Sequence, residues 1–230
     1  MSMLSLSFIM LYLLVFLIYW KLPDKTRNGF LLVVSWLYLA SWKIYDLGFL
    51  LVVILISWGT GKLLARYKQK SILLNTCGIV LLLAILFVVK YCPIPLEALG
   101  ISFFTFQAVG YLIDMYREDV DEEKSFVVYA LYVSFFPQLL SGPITKAKEQ
   151  IVRYKNEKQF DLRIVERGWI SALYGCFLKL VIADRIAIFV DDVYGNIADA
   201  GRMGILLAVL LYSVQIYCDF AGYSLIALGM

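Results

Sequence analysis

The chain has 230 residues, 62% of them hydrophobic and 17% charged, with a mean hydropathy of +0.80. Soluble domains are about 45–50% apolar and about 25% charged, so one water-soluble core cannot take up this much apolar surface. The composition marks an all-α, polytopic integral membrane protein, read as a single membrane domain over residues 1–230. No histidine is present, so these residues supply no His general base, no Ser-His or Cys-His nucleophilic pair and no His-ligated metal. The net charge of +3 is too small to point to nucleic acid.

A spanning helix needs about 20 mostly apolar residues. Runs of that order, between charge clusters, are Leu4–Trp20, Phe30–Ser41, Leu47–Gly61, Ile72–Val89, Leu99–Tyr116, Phe126–Ile144, Trp169–Val190 and Met203–Gly229. The second and third are short for spans, and tilted or longer helices are expected there. No basic residue precedes the first run, no small-residue cleavage site follows it, and Lys21, Lys25 and Arg27 come after it. That pattern predicts an uncleaved anchor with its N-terminus outside.

The Lys and Arg counts between successive runs are 3, 1, 4, 1, 2, 7 and 1. If every run crossed, the seven cations of Thr145–Gly168 would lie outside, against the positive-inside rule. One non-crossing run between residues 99 and 144 restores the parity. Phe126–Ile144 is the better candidate, because Pro137, Gly142 and Pro143 interrupt it, removing a backbone donor and loosening the helix. Broken backbone at membrane depth must be buried in protein or line a wet cavity. A re-entrant element is therefore predicted, its broken part formed by Pro137, Gln138, Gly142 and Pro143.

Cys77, Cys92, Cys176 and Cys218 share no metal-ligand spacing. Three lie in apolar runs and read as small buried hydrophobes; Cys92, at a membrane boundary, is a position open to lipidation. No metal site is expected. Ionisable residues inside apolar runs are costly and face the protein interior or a cavity; here they are Asp114, Lys179, Asp184, Arg185 and Asp219. Asp114 and Arg117 share a helix face with Gln107, and the plainer reading is an ion pair at a helix end. Lys179 and Asp184 are five apart, about 140° around an α-helix, so they are not expected to pair. Gln215, Asp219, Gly222 and Tyr223 form one polar stripe on the last run. Small residues at Ser171 and Gly175, and at Ala172 and Cys176, suit close helix packing. Thr145–Arg167 reads as a solvated or lipid-surface face with Asp161 as a helix cap, and Glu118–Glu123 as a polar turn. Two classes fit these features: a transporter with its ion site at a broken helix, and an intramembrane enzyme with a tunnel.

Four strings separate them: ISFFTFQAVGYLIDMYR (Ile101–Arg117), FFPQLLSGPI (Phe135–Ile144), GCFLKLVIADRIA (Gly175–Ala187) and YSVQIYCDFAGYSLIALG (Tyr212–Gly229). In this order and spacing they resemble the membrane-bound O-acyltransferase family, in its bacterial alginate O-acetyltransferase and teichoic acid D-alanyl transfer branch. The resemblance implies helices around a funnel in the bacterial cytoplasmic membrane. It implies an acyl thioester donor, acyl-CoA or an acyl-carrier protein, on the cytoplasmic side. A polysaccharide acceptor and an SGNH-hydrolase-like partner are implied outside. A histidine serves the family's acceptor step, in a motif that follows the GYSLIALG-like segment, and family members are about twice as long. The expectation is thus an N-terminal portion, inactive alone, with no catalytic residue to carry over. Gln107, Asp114, Arg117, Pro137, Gln138, Gly142, Pro143, Lys179, Asp184, Gln215, Asp219 and Tyr223 are the tunnel or structural candidates. A transporter-like protein and a non-catalytic membrane scaffold remain the alternatives.

Overall fold

The computed structural model describes residues 5–67, 71–91, 98–139, 142–143, 145–197 and 200–230; Cys92 lies outside them. Every regular element among the described residues is helical. Contacts divide the chain into a large unit, Ile9–Leu140 with Ile144–Phe160, and a small unit, Asp161–Met230 with Met1–Phe8 and Ser141–Pro143.

In the large unit, α1 (Leu6–Lys21) is almost wholly apolar and ends on a lysine, where a cation complements the helix dipole. Pro23, with φ fixed at −65°, opens α2 (Asp24–Ala40), and α3 runs over Ile44–Arg66. These two are 17 and 23 residues long, longer than the apolar runs that foretold them. The added length is polar in Asp24–Asn28 at the start of α2, and at the end of α3 it is Leu63–Ala65 flanked by Lys62 and Arg66, whose long cationic side chains reach toward water. Next come α4 (Ser71–Tyr91) and α5 (Ile101–Tyr116), the latter entered through a left-handed Gly100. Among the described residues, Ile44–Arg66, Ile72–Tyr91 and Gly201–Gly229 are each long and apolar enough to cross a membrane.

The sixth run is broken, as predicted. Ser125 accepts a hydrogen bond from the Val128 N–H to start α6 (Phe126–Ser134), which is only 9 residues. At about 1.5 Å per residue it covers less than half of a hydrocarbon core about 30 Å thick. The chain turns extended at Phe135 (ψ 115°) and resumes as α7, Phe136–Leu139. The break therefore precedes Pro137. Proline sits in the first turn of α7, where its missing N–H is no loss. The Phe136 N–H freed by the break donates to Ser35 Oγ at 3.1 Å. The chain then leads to α8 (Ala147–Lys155), where Lys155 Nζ meets Glu123 Oε2 at 2.7 Å. Glu123 precedes α6 and Lys155 ends α8, so this ion pair ties the stretch before the broken run to the end of the helix that follows it.

In the small unit, Asp161 caps α9 (Leu162–Phe177) by accepting from the Arg163 N–H at 2.8 Å, as its position foretold. A π-helical segment, Leu178–Ala183, joins α9 to α10 (Asp184–Gly195), and α11 (Gly201–Gly229) returns antiparallel. Glycines set the closeness of this packing. A Cβ on Gly175 would lie 2.6 Å from the Gly222 carbonyl oxygen, and one on Gly168 2.5 Å from that of Gly229. Between these contacts Ser171 Oγ donates to the Leu225 carbonyl at 3.1 Å. Ser171 and Gly175 thus pack as expected, and their partners are Gly222, already singled out in the polar stripe of the last run, and Leu225.

Candidate functional site

Two polar constellations stand out, one in each unit. In the large unit, α5, α6, α7 and α8 converge on a network of amides and hydroxyls. Gln107 Nε2 donates to Thr145 Oγ1 at 3.1 Å, and Tyr132 Oη to the Gln107 carbonyl at 3.2 Å. Thr145 Oγ1 in turn donates to Gln150 Oε1. Gln150 Nε2 donates to Gln138 Oε1 and to Tyr154 Oη, both at 2.8 Å. Gln107, Tyr132, Gln150 and Tyr154 are buried and Gln138 is half-buried. Gln138 accepts through Oε1, while its Nε2 has no partner among the described residues. Beneath the network Tyr111, Tyr129 and Tyr132 are enclosed, with ring centroids 4.7–6.3 Å apart. Tyr129 Oη donates to Ser57 Oγ at 2.6 Å. A buried polar network pays its desolvation only when its members are satisfied; this one is neutral throughout and offers one open amide.

The two sequence candidates in this network are Gln107 and Gln138. Thr145, Gln150 and Tyr154 were read as part of a solvated stretch. The signal that locates them is the spacing of Ala147, Gln150, Ile151 and Tyr154, at i, i+3, i+4 and i+7, which forms the buried face of α8. Glu118–Glu123 is likewise more than a polar turn. Glu123 is 2% exposed, ion-paired with Lys155, accepts from the Trp58 indole N–H at its carbonyl (3.1 Å) and donates its N–H to Tyr111 Oη (3.1 Å). Asp46, also buried, was absent from the sequence candidates. Asp114 is half-buried and Arg117 exposed at the end of α5. Among the described residues no ion pair joins them, because Arg117 caps the helix where the chain leaves it. Pro137 lies in α7, while Gly142 and Pro143 follow it without regular structure.

In the small unit, Lys179 Nζ contacts Asp184 Oδ1 at 2.7 Å and pairs with Asp219 Oδ1. The Tyr223 ring centroid lies 5.4 Å from the same ammonium. The Lys179–Asp184 pair overturns the expectation that the two stand apart, and the π turn is the reason. Bonding from i to i+5 takes about one more residue per turn than the α-helix, so residues five apart come close to alignment. Asp219 and Tyr223, two members of the polar stripe on α11, face this lysine; Gln215 lies one turn earlier, its Oε1 buried without a described partner. The cysteines correct a second expectation: Cys218 is buried, Cys176 half-buried and Cys77 exposed, because α4 turns Cys77 outward among apolar residues. No group of His, Cys, Asp or Glu able to hold a metal occurs among the described residues.

No family model matches the chain. Known proteins do. It is 28% identical over 248 residues to "Probable alginate O-acetylase AlgI" of Azotobacter vinelandii, covering 97% of this chain and 49% of the relative. The peptidoglycan O-acetyltransferase of Helicobacter pylori is 35% identical over 158 residues, 57% of this chain and 30% of the relative. The teichoic acid D-alanyltransferase of Streptococcus thermophilus is 29% identical over 144 residues, 59% of this chain and 34% of the relative. The chain spans about half the length of the alginate relatives it matches.

Proposed function

We propose a function from one premise: this chain is homologous, over 97% of its length, to enzymes of the membrane-bound O-acyltransferase family. It serves, in this reading, the transfer of an acyl group, acetyl foremost, from a cytoplasmic thioester donor to hydroxyls of an extracytoplasmic polysaccharide. The observation that carries the reading is this similarity to alginate O-acetylases over 97% of the chain, supported by the names of other relatives, which specify peptidoglycan and teichoic acid. The donor is acyl-CoA or an acyl-carrier protein, and an SGNH-hydrolase-like protein outside takes the group onward. The membrane is the bacterial cytoplasmic one, with the chain's N-terminus outside. The end of the large unit that carries Arg27, Lys155 and Lys158 faces the cytoplasm, in keeping with the positive-inside rule.

A thioester is already activated. The protein must orient the acceptor, take its proton and stabilise the oxyanion that forms. The network of Gln107, Gln138 and Gln150 suits the orienting role, since amides and hydroxyls fix a carbonyl or hydroxyl group without introducing charge. Gln138 is the group we assign to the acyl carbonyl, because its Nε2 has no partner among the described residues. The proton acceptor is not assigned to these residues: the chain has no histidine, and the 230 residues by themselves are read as inactive.

The test is an exchange of the matching segment of the Azotobacter vinelandii relative for this chain. O-acetylation of alginate by the chimera should remain measurable. Gln138→Ala within it should lower acetylation about tenfold, which is ~1.4 kcal/mol of transition-state stabilisation. A chimera that inserts at normal levels and acetylates nothing would overturn the reading.

A further inference from the structure

A cavity of about 300 Å³ opens in the large unit where the end of α1, the first turn of α2 and the segment after α8 meet. Four cations, Lys25, Arg27, Lys155 and Lys158, line it against two carboxylates, Asp24 and Glu157. Two of the cations are engaged. Arg27 pairs with Asp24 and donates Nη1 to the Lys158 carbonyl at 3.0 Å, and Lys155 pairs with Glu123. Lys25 and Lys158 have no described carboxylate within ion-pair distance. Burial pushes the Lys158 pKa down, and the charges of Arg153 and Arg27 push it further the same way, as in a positively charged pocket that lacks its anion.

An aromatic shelf borders the cavity. The Arg27 guanidinium lies 5.1 Å from the ring centroids of both Tyr19 and Trp20. Trp20 meets Phe160 edge-on at 5.1 Å, and Phe160 is 51% exposed. Tyrosine and tryptophan rings in membrane proteins gather at headgroup depth, and basic pockets at the cytoplasmic boundary hold anionic headgroups. We propose that this cavity binds the phosphate of an anionic phospholipid, gripped by Lys25 and Lys158 beside the aromatic shelf of Tyr19, Trp20 and Phe160. Asp24 and Glu157, at the same wall, accept hydrogen bonds from headgroup hydroxyls. The site adjoins the glutamine network at Tyr154, which lines the cavity and accepts from Gln150 Nε2, and is independent of the acyl group transferred.

The experiment uses the full chain purified in detergent and titrated with phosphatidylglycerol or phosphatidylcholine of matched acyl chains, with bound lipid counted by native mass spectrometry. One phosphatidylglycerol should be retained where phosphatidylcholine is lost. The double variant Lys25→Gln/Lys158→Gln should weaken retention about tenfold, and Lys148→Gln, an exposed cation of α8 outside the cavity, should not. Equal retention of both lipids by the unsubstituted chain would overturn the proposal, as would undiminished retention by the double variant. Displacement of the lipid by an equal concentration of inorganic phosphate would overturn it too, marking a site for the free anion.

Discussion

In the large unit Tyr111, Tyr129 and Tyr132 are sealed among helices, and the glutamine network above them is neutral and almost wholly buried. In the small unit the polar groups are charged and only half enclosed: the side chains of Asp184 and Asp219 are 44% and 40% exposed around Lys179. Apolar surface does not follow that division: Leu37 (64%), Ile44 (71%) and Phe87 (61%) of the large unit are as uncovered as their counterparts in the small one. Leu173 (64%), Leu210 (67%) and Tyr217 (72%) of the small unit are largely uncovered, as suits helices that meet lipid over most of their girth. The large unit holds its shape by interlocked side chains and directional hydrogen bonds, the small unit by backbone contact between glycines and by charge balance. A neutral network can be buried whole, whereas an ion cluster is less costly when it keeps access to water or headgroups.

The contrast predicts different sensitivities, all readable as unfolding temperature in detergent. The largest effect should come from a single methyl group. Gly175→Ala places a Cβ against the Gly222 backbone, which cannot yield as a flexible side chain does, and should cost about 3 kcal/mol. Gly110→Ala in the large unit meets nothing within 4 Å and should be neutral or stabilising by up to about 1 kcal/mol. If the two glycines behave alike, backbone contact is not what holds α9 to α11. Next, Gln150→Leu leaves Gln138, Tyr154 and Thr145 each short of a partner. About 2 kcal/mol is expected, and no change would mean that the network is not closed. The smallest effects belong to the ion cluster. Asp184→Asn or Asp219→Asn alone should cost less than about 1 kcal/mol, given their exposure. Lys179→Met should cost more than either, since it leaves two carboxylates facing each other. Equal effects from all three would show that the cluster is three separate surface charges.

Much of this architecture could be read from residue patterning, and the exceptions share a physical form. Charge parity and two prolines pointed to a break in the sixth run, although the turn itself lies at Phe135, where Ser35 takes up the freed N–H. Gln107 stood out on the helix face of Asp114 and Arg117, and Gln138 within the broken element. Gln150 and Tyr154 were hidden by the reverse circumstance, a buried face inside a charged segment. Periodicity also failed at Lys179 and Asp184, because it assumes a constant number of residues per turn. The Gly175–Gly222 contact could be foreseen only in part, since a small residue announces that something comes close without naming it.

The π segment at Leu178–Ala183 has one more consequence. A helix of uniform pitch carries a single seam along its length, so α9 and α10 would otherwise present one continuous face to a neighbour. An extra residue in the winding resets the phase midway. Both halves meet α11, α9 through its glycine seam and α10 through Tyr194, whose ring centroid lies 5.9 Å from that of Tyr212, and a deletion of one residue in the π segment would turn one half away from it.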